Sequence, residues 1–168
     1  GARLGLSNDS QAAIVRELMR ASGGGGMVGG QLLDLEGEGS SLSVDQLERI
    51  HRAKTGALIS ASARIGGIAA GASETVLDAL TTYGNSIGLA FQIADDVLDA
   101  TSTTAALGKT AGRDAELRKS TYPMVLGVER ATARAASLVD DACDALDRAG
   151  LRTTTLDMLA RYAISRTS

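Results

Sequence analysis

Four polar side chains in the middle of the sequence, Gln92, Asp95, Asp96 and Asp99, are spaced so that together they could bind a metal ion. On a helix, a spacing of i, i+3, i+4 and i+7 stacks them on one face, with neighbours about 5–6 Å apart. Three carboxylates this close repel one another, and a hard divalent cation such as Mg²⁺ relieves the repulsion. A solvated acidic helix end is the alternative, but the largely apolar residues 87–93 make the aspartates emerge from a buried helix, which favours a site.

A second group of aspartates has the same spacing and serves as an internal comparison. Asp140, Asp141 and Asp144 repeat the pattern, but no Phe-Gln pair stands before them and no lysine-bearing segment follows. We interpret this group as the charged outer face of a helix. Spacing alone is therefore a weak signal, and the sequence context decides between a site and a solvated face.

A basic segment with two glycines follows the first aspartate group. Residues 107–123 contain Lys109, Arg113, Arg118 and Lys119. Cations beside an acidic metal face suit a diphosphate, because the metal neutralises oxygens on one side and the ammonium groups bind the other. The alternative is an ordinary charged surface loop.

Lysine is rare in this chain, and its positions are informative only together with the motifs around them. Of 17 basic residues, three are lysine, namely Lys54, Lys109 and Lys119. In an arginine-rich chain, a retained lysine can mark a position that needs a compact, strongly hydrated charge, although chance is the alternative. Thr55 beside Lys54 offers a hydroxyl, and His51, one turn earlier, is interpreted as a packing or hydrogen-bonding residue rather than a catalyst.

The composition excludes several other classes of protein. One histidine and one cysteine, Cys143, leave no convincing Ser/His/Asp or Cys/His catalytic set and no zinc site built from these ligands. A net charge of -3 without a basic block argues against a nucleic-acid partner. No uninterrupted apolar run reaches about 18 residues, so no membrane span is expected. A lone cysteine and the lack of a signal-peptide pattern indicate a cytoplasmic location.

The elements that must position these residues are predicted to be helices. No alternating β-branched stretch competes, so the fold class is all-α, with residues 1–168 forming a single domain. Ser43 and Gln46 have the form of a capping box at a helix start, and Gly29-Gly30 would let another backbone approach closely. The polar residues 101–120 predict a long functional loop. The predicted helices are residues 10–20, 27–35, 43–71, 73–99, 123–148 and 155–166.

Motifs spread over residues 27–127 match one protein family in the same order. They are Gly29–Asp34 (GGQLLD), His51–Leu58 (HRAKTGAL), Gly84 with Gly88–Asp99 (GLAFQIADDVLD), Leu107–Asp114 (LGKTAGRD) and Lys119–Pro123 (KSTYP). With these segments the chain resembles the trans-isoprenyl (polyprenyl) diphosphate synthases, which include farnesyl, geranylgeranyl and longer-chain synthases. All three lysines fall on phosphate-binding positions of that family.

The resemblance implies a helical bundle of the isoprenoid synthase type around a central cavity, usually a homodimer. It also implies a Mg²⁺-dependent prenyltransferase that condenses isopentenyl diphosphate with an allylic diphosphate by ionisation, condensation and elimination. Asp95 would be the main metal ligand, with Asp96 and Asp99 in support, and Asp34 is expected to pair with Lys54 or Lys109. The carried-over roles are Lys54, Thr55, Gln92 and Lys109 as catalytic and diphosphate-binding residues, Lys119 as a further diphosphate-binding residue, and Gln31, Asp34 and Asp114 as supporting residues.

The chain also departs from the family pattern. The family has a first aspartate-rich motif well upstream of the Gly-Gly-Gln segment, whereas 30 residues precede Gln31 here and none forms that motif. We therefore expect the C-terminal part of a longer enzyme, with N-terminal helices missing and no turnover by this chain alone, because catalysis needs the diphosphate held from both sides. A non-catalytic synthase-like subunit that binds a partner is the alternative. Terpene cyclases share the architecture but lack the Gly-Lys-Thr-Ala-Gly-Arg-Asp and Thr-Tyr-Pro segments.

Overall fold

The computed structural model describes residues 5–105 and 120–165, and helix is the regular secondary structure throughout this described part. The all-α prediction is therefore confirmed. No helix among the described residues has the length and apolar character needed to cross a membrane. The elements are α1 (Asn8–Ser22), α2 (Met27–Glu36), α3 (Val44–His51), a π-helical segment (Arg52–Gly56), α4 (Ala57–Ala69), α5 (Glu74–Ala105), α6 (Tyr122–Leu126), α7 (Val128–Arg148) and α8 (Thr154–Ser165).

The longest helix, α5, is the centre of the bundle and packs most extensively against α7 and α4. Its buried side chains Leu89, Ala90 and Ile93 join the main core cluster. The facing positions of α7 include Ala135 and Ala142, which are almost fully buried. Such small side chains let two helices approach closely, which is how the core of a chain with few aromatic residues still closes.

Local signals placed the helix starts well and the helix ends less well. The capping box of α3 is present, because Ser43 accepts from the Gln46 backbone and the Gln46 side chain accepts from the Ser43 N–H. The helix predicted to end near Asp99 continues to Ala105 instead, so the first residues of the predicted loop, 101–105, are helical, and residues 106–119 lie outside the described residues. Polarity does not end a helix, and Thr101 stays helical with its hydroxyl donating to the Val97 carbonyl at 2.8 Å.

The helix predicted over residues 123–148 is in fact two helices. Gly127, at φ +83° and ψ 153°, separates α6 from α7. That conformation belongs almost exclusively to glycine, so the break depends on this residue. The prediction missed it because a single glycine inside a helical pattern is usually tolerated.

The helix predicted from Ser43 to near Gly71 contains a π-helical segment at residues 52–56, which the sequence did not predict. This segment lies between α2 and α5, and glycines make both contacts possible. A Cβ on Gly30 would lie 2.2 Å from the Lys54 backbone nitrogen, and a Cβ on Gly88 would lie 2.7 Å from the Gly56 Cα. The predicted close approach of a backbone at Gly30 is confirmed. Short π-helical segments occur frequently at functional sites.

The second aspartate group lies where the sequence analysis placed it. Asp140, Asp141 and Asp144 are all exposed on α7, while Leu138, Val139 and Ala142 of the same helix are buried. The interpretation of this group as a charged outer face is confirmed.

Candidate functional site

Lys54 is positioned by the π-helical segment and by α2. Its Nζ donates to the Asp34 Oδ2 at 2.7 Å, which confirms the expected pairing of Asp34 with Lys54. The Lys54 side chain is 32% exposed, and an ammonium group has three donors. The lysine is therefore fixed by one carboxylate and still able to donate to an anionic ligand. The alternative partner, Lys109, lies outside the described residues.

Thr55 connects the π-helical segment to the aspartate face of α5. Its hydroxyl donates to the Gln92 Oε1 at 2.7 Å, in a partly buried position. The close contact of Gly56 with Gly88 brings the two backbones together at this point. The structure therefore unites three predicted site residues, Lys54, Thr55 and Gln92, although 37 positions separate Thr55 from Gln92 in the sequence.

The two outward-facing aspartates of α5 continue the same face. Asp95 is exposed and Asp99 is partly exposed. The residues before them, Leu89, Ala90 and Ile93, are buried, so the aspartates do emerge from a buried helix as predicted. Asp95 thus lies about one helical turn from Gln92, whose side chain accepts the Thr55 hydroxyl.

Asp96 takes a different direction from its neighbour Asp95. It is only 9% exposed, and its Oδ2 accepts the backbone N–H of Tyr122 at 3.0 Å. The same oxygen lies 3.8 Å from the His51 Nε2. The predicted stacking of all the aspartates on one accessible face does not hold for Asp96, because α6 and the end of α3 pack on its side of the helix.

His51 and Tyr122 form a buried pair at this point. Their rings stack with centroids 5.8 Å apart, and in the described part of the chain neither the His51 ring nitrogens nor the Tyr122 hydroxyl has a hydrogen-bond partner. Burial lowers the pKa of His51 to about 4, so the ring is neutral at pH 7, and burial raises the pKa of Tyr122. A neutral, buried imidazole fits the packing role predicted for His51.

The donor set fits a magnesium ion in part. Mg²⁺ typically binds one or two carboxylates together with waters and substrate phosphates, and Asp95 and Asp99 could supply the two. Among the described residues no preformed cluster of three or more acidic, histidine or cysteine side chains exists. The metal would therefore depend on oxygens from its substrate as well as on the protein.

The roles of the remaining predicted site residues are not tested by the contacts described above. Gln31 is partly buried on α2, and its supporting role stays a prediction. Lys109, Asp114 and Lys119 lie outside the described residues. Ser120, which directly follows them, is held by two hydrogen bonds: its hydroxyl donates to the Ser40 carbonyl at 2.9 Å and accepts the Leu42 N–H at 3.0 Å.

Two features of this site were not predicted from the sequence. The contacts of Asp96 and Ser120 join residues separated by 26 and about 80 positions, so no local spacing reveals them. A signal for Tyr122 does exist, since Pro123 marks a helix start and the backbone N–H groups of a helix start need acceptors.

The described residues therefore bring Lys54, Thr55 and Gln92 onto two packed elements of an all-helical protein, with Asp95 and Asp99 farther along the helix that carries Gln92. A family model described as polyprenyl synthetase matches residues 6–150. The chain belongs to this family, and its resemblance to the trans-isoprenyl diphosphate synthases is confirmed.

Individual relatives agree with this assignment. The chain is 48% identical over 165 residues to the farnesyl diphosphate synthase of Escherichia coli (strain K12), covering 96% of this chain and 55% of that protein. A structure of geranyltransferase from Helicobacter pylori complexed with magnesium and isoprenyl diphosphate is 32% identical, with a TM-score of 0.74 over 95% of this chain and 52% of that one. Geranylgeranyl pyrophosphate synthetase from Pyrococcus horikoshii Ot3 is 26% identical, with a TM-score of 0.83 over 96% of this chain and 61% of that one. The chain spans about half the length of the curated relatives it matches.

Proposed function

We propose that this chain provides the diphosphate-binding and metal-binding half of a prenyltransferase that joins isopentenyl diphosphate to an allylic diphosphate. The observation that carries the proposal is the union of Lys54 and Thr55, on the π-helical segment, with Gln92 on the aspartate helix. Donors suited to phosphate oxygens, the Lys54 ammonium group and the Gln92 side-chain amide, lie there on packed elements, and Asp95 is about one turn beyond Gln92 on α5. The relatives in this family, named as farnesyl and geranylgeranyl diphosphate synthases, support the same substrates.

The residues of this chain would act mainly by binding and orienting the departing diphosphate. Lys54 would donate charge-assisted hydrogen bonds to its oxygens, while Asp34 keeps the ammonium group in place. Gln92 would add neutral hydrogen bonds from its side-chain N–H groups on the adjacent helix, and Thr55 orients that amide by donating its hydroxyl hydrogen to the Gln92 Oε1. Holding the leaving group in one geometry lowers the barrier because the interactions are already in place when charge develops on the oxygens.

Magnesium is the cofactor that this donor set supports. When bound, Mg²⁺ supplies Lewis-acid stabilisation of the charge on the leaving diphosphate. Asp95 would be its principal ligand, with Asp99 as a second ligand and Asp96 supporting the site, and the Helicobacter pylori relative described as a complex with magnesium and isoprenyl diphosphate supports the choice of metal. The remaining proposed roles are diphosphate binding by Lys109 and Lys119, support by Gln31, Asp34 and Asp114, a cytoplasmic location, and assembly as a homodimer.

The test uses the full-length protein, labelled isopentenyl diphosphate and a series of allylic diphosphates with increasing Mg²⁺. We expect Mg²⁺-dependent formation of a longer prenyl diphosphate. Asp95→Ala should lower kcat by about 10²–10³-fold or more, by analogy with the loss of one preorganised transition-state contact. Asp140→Ala is the matched control, since Asp140 has the same position in the same spacing but is exposed on α7, and it should leave the rate unchanged.

Two outcomes would contradict the proposal in different ways. If Asp95→Ala retained the full rate, the site assignment would be wrong even though the enzyme is a prenyltransferase. If the unmodified full-length protein bound allylic diphosphate but formed no product at any Mg²⁺ concentration, the chain would instead belong to a non-catalytic synthase-like subunit.

A further inference from the structure

The carboxylate of Asp96 faces the interior of the bundle although its neighbour Asp95 faces solvent. Successive residues on an α-helix are rotated by about 100°, so two adjacent aspartates cannot both lie in the middle of one face. Asp95 is exposed, whereas the Asp96 side chain is 10% exposed and accepts the Tyr122 N–H at 3.0 Å. The two carboxylates are therefore directed to different surroundings.

Asp96 accepts the Tyr122 backbone N–H, which has no acceptor among the neighbouring residues of its own helix. Tyr122 is the first residue of α6 and is fully buried. The N–H groups of a first helical turn have no acceptor within their own helix, and the residue before the helix, Thr121, provides no side-chain cap. Asp96 thus caps α6 from another helix. Withdrawing its carboxylate toward a metal ion would strand a buried N–H, which is costly.

The same contact connects α5 to the segment that bears the phosphate-binding residues. The Tyr122 ring stacks on His51, and His51 is the last residue of α3, directly before the π-helical segment. His51 Nε2 lies 3.8 Å from the Asp96 Oδ2. The aspartate, the tyrosine and the histidine therefore join α5, α6 and the start of the segment that carries Lys54.

We infer that Asp96 is a positioning residue rather than a metal ligand: its carboxylate fixes α6 and His51 against α5 and so sets Lys54 and Thr55 relative to Asp95. This inference rests on the proposed function and refines it, because it leaves Asp95 and Asp99 as the metal-binding carboxylates of α5. It also explains how an aspartate inside the motif supports the site without facing the ligand.

The experiment compares amide and alanine replacements at the two adjacent positions in the full-length protein. Asparagine keeps a side-chain oxygen that can accept the Tyr122 N–H, but it is a poor substitute for a metal-binding carboxylate. Asp96→Ala should lower kcat or apparent Mg²⁺ affinity by about 10–100-fold, the usual effect of losing a residue that orients a metal site. Asp96→Asn should restore both to within a few fold of the unmodified protein, whereas Asp95→Asn should be as defective as Asp95→Ala.

A second measurement does not depend on activity. Hydrogen exchange at the Tyr122 amide, measured in metal-free protein, should be slow in the unmodified protein, in Asp96→Asn and in Asp95→Asn. Exchange should be faster in Asp96→Ala. If that variant fails to fold, the Mg²⁺ affinities of Asp96→Asn and Asp95→Asn still test the inference. The inference is overturned if Asp96→Asn loses Mg²⁺ affinity as severely as Asp95→Asn, or if the Tyr122 amide exchanges equally fast with and without the Asp96 side chain.

Failure of the proposed function would look different. If no variant transferred a prenyl group, the exchange of the Tyr122 amide would still report whether Asp96 anchors α6. If prenyl transfer occurred and the asparagine variants at the two positions behaved alike, the proposed function would stand and the positioning role of Asp96 would be rejected.

Discussion

Replacing Gly30 by alanine should damage the site from a distance, because the added methyl group has no room. Its Cβ would lie 2.2 Å from the Lys54 nitrogen and 2.6 Å from the Lys54 Cα, both backbone atoms, whereas ordinary contact begins at 3.4 Å. The two backbones would have to separate by about 3.4 − 2.2 = 1.2 Å. Overpacking costs about 1–3 kcal/mol, and we take the upper end here because both partners are backbone.

The helix propensity of alanine opposes this cost. Alanine favours a helix interior over glycine by about 1 kcal/mol, so a clash of about 3 kcal/mol leaves a net loss of about 2 kcal/mol in the free energy of unfolding. The displacement also moves Lys54 away from the position in which Asp34 holds it. A misplacement of about 1 Å can cost 10²-fold in rate, so kcat should fall by about that factor.

The matched control is Gly66→Ala, the same substitution at an exposed position inside α4. A Cβ on Gly66 meets no atom within 4 Å, so only helix propensity acts and stability should rise by about 1 kcal/mol. Urea denaturation followed by circular dichroism measures both variants, and the prenyltransfer assay measures their rates. If Gly30→Ala were as stabilising as Gly66→Ala, or kept the full rate, the close contact between α2 and the π-helical segment would not exist as described.

Two further predictions concern the contact between the π-helical segment and α5 and the acid stability of the C-terminal helix. Thr55→Val should lower the free energy of unfolding by about 1 kcal/mol and raise KM for the allylic diphosphate, because Gln92 loses its partner. Thr55→Ser keeps the hydroxyl and should restore both values. If the two variants behaved alike, the role of the hydroxyl would be refuted. Hydrogen bonds from Arg161 and a second arginine hold the pKa of Asp157 well below its usual range. Because this folded-state pKa lies below the unfolded one, the stabilisation is present above about pH 4 and is lost as the pH falls further. The urea midpoint of Asp157→Asn should therefore change less between pH 7 and pH 3 than the midpoint of the unmodified protein. If the two midpoints fell by the same amount over this pH range, the prediction would be wrong.

The sequence predicted the features of the fold that depend on neighbouring residues. The capping box at Ser43 was predictable because its two hydrogen bonds join residues three positions apart. The π-helical segment was not, because it depends on contacts with α2 and α5, whose glycines are distant in the chain. The break at Gly127 was missed since a glycine only permits a positive φ and does not impose one. Family motifs predicted that Asp34 pairs with Lys54 or Lys109, which spacing alone could not give, and the structure shows the pair with Lys54.

The aspartate face shows why periodicity identifies a group of residues but not the role of each member. At about 100° per residue, and with Gln92 taken as zero, Asp95 lies near −60°, Asp99 near −20° and Asp96 near +40°. The stripe is therefore about 100° wide, and its two edges are Asp95 and Asp96.

Which edge becomes buried depends on where the neighbouring elements pack, and this information is absent from the spacing. On α5 the neighbours are His51 and Tyr122, which cover the Asp96 edge and leave Asp95 exposed. On α7 the same spacing leaves Asp140, Asp141 and Asp144 all exposed, because its buried side lies on the opposite face of the helix. Packing thus divides the aspartate-rich motif of α5: its exposed edge, Asp95, lies on the side where we propose that the ligand binds, and its covered edge, Asp96, contacts the elements that carry His51 and Tyr122.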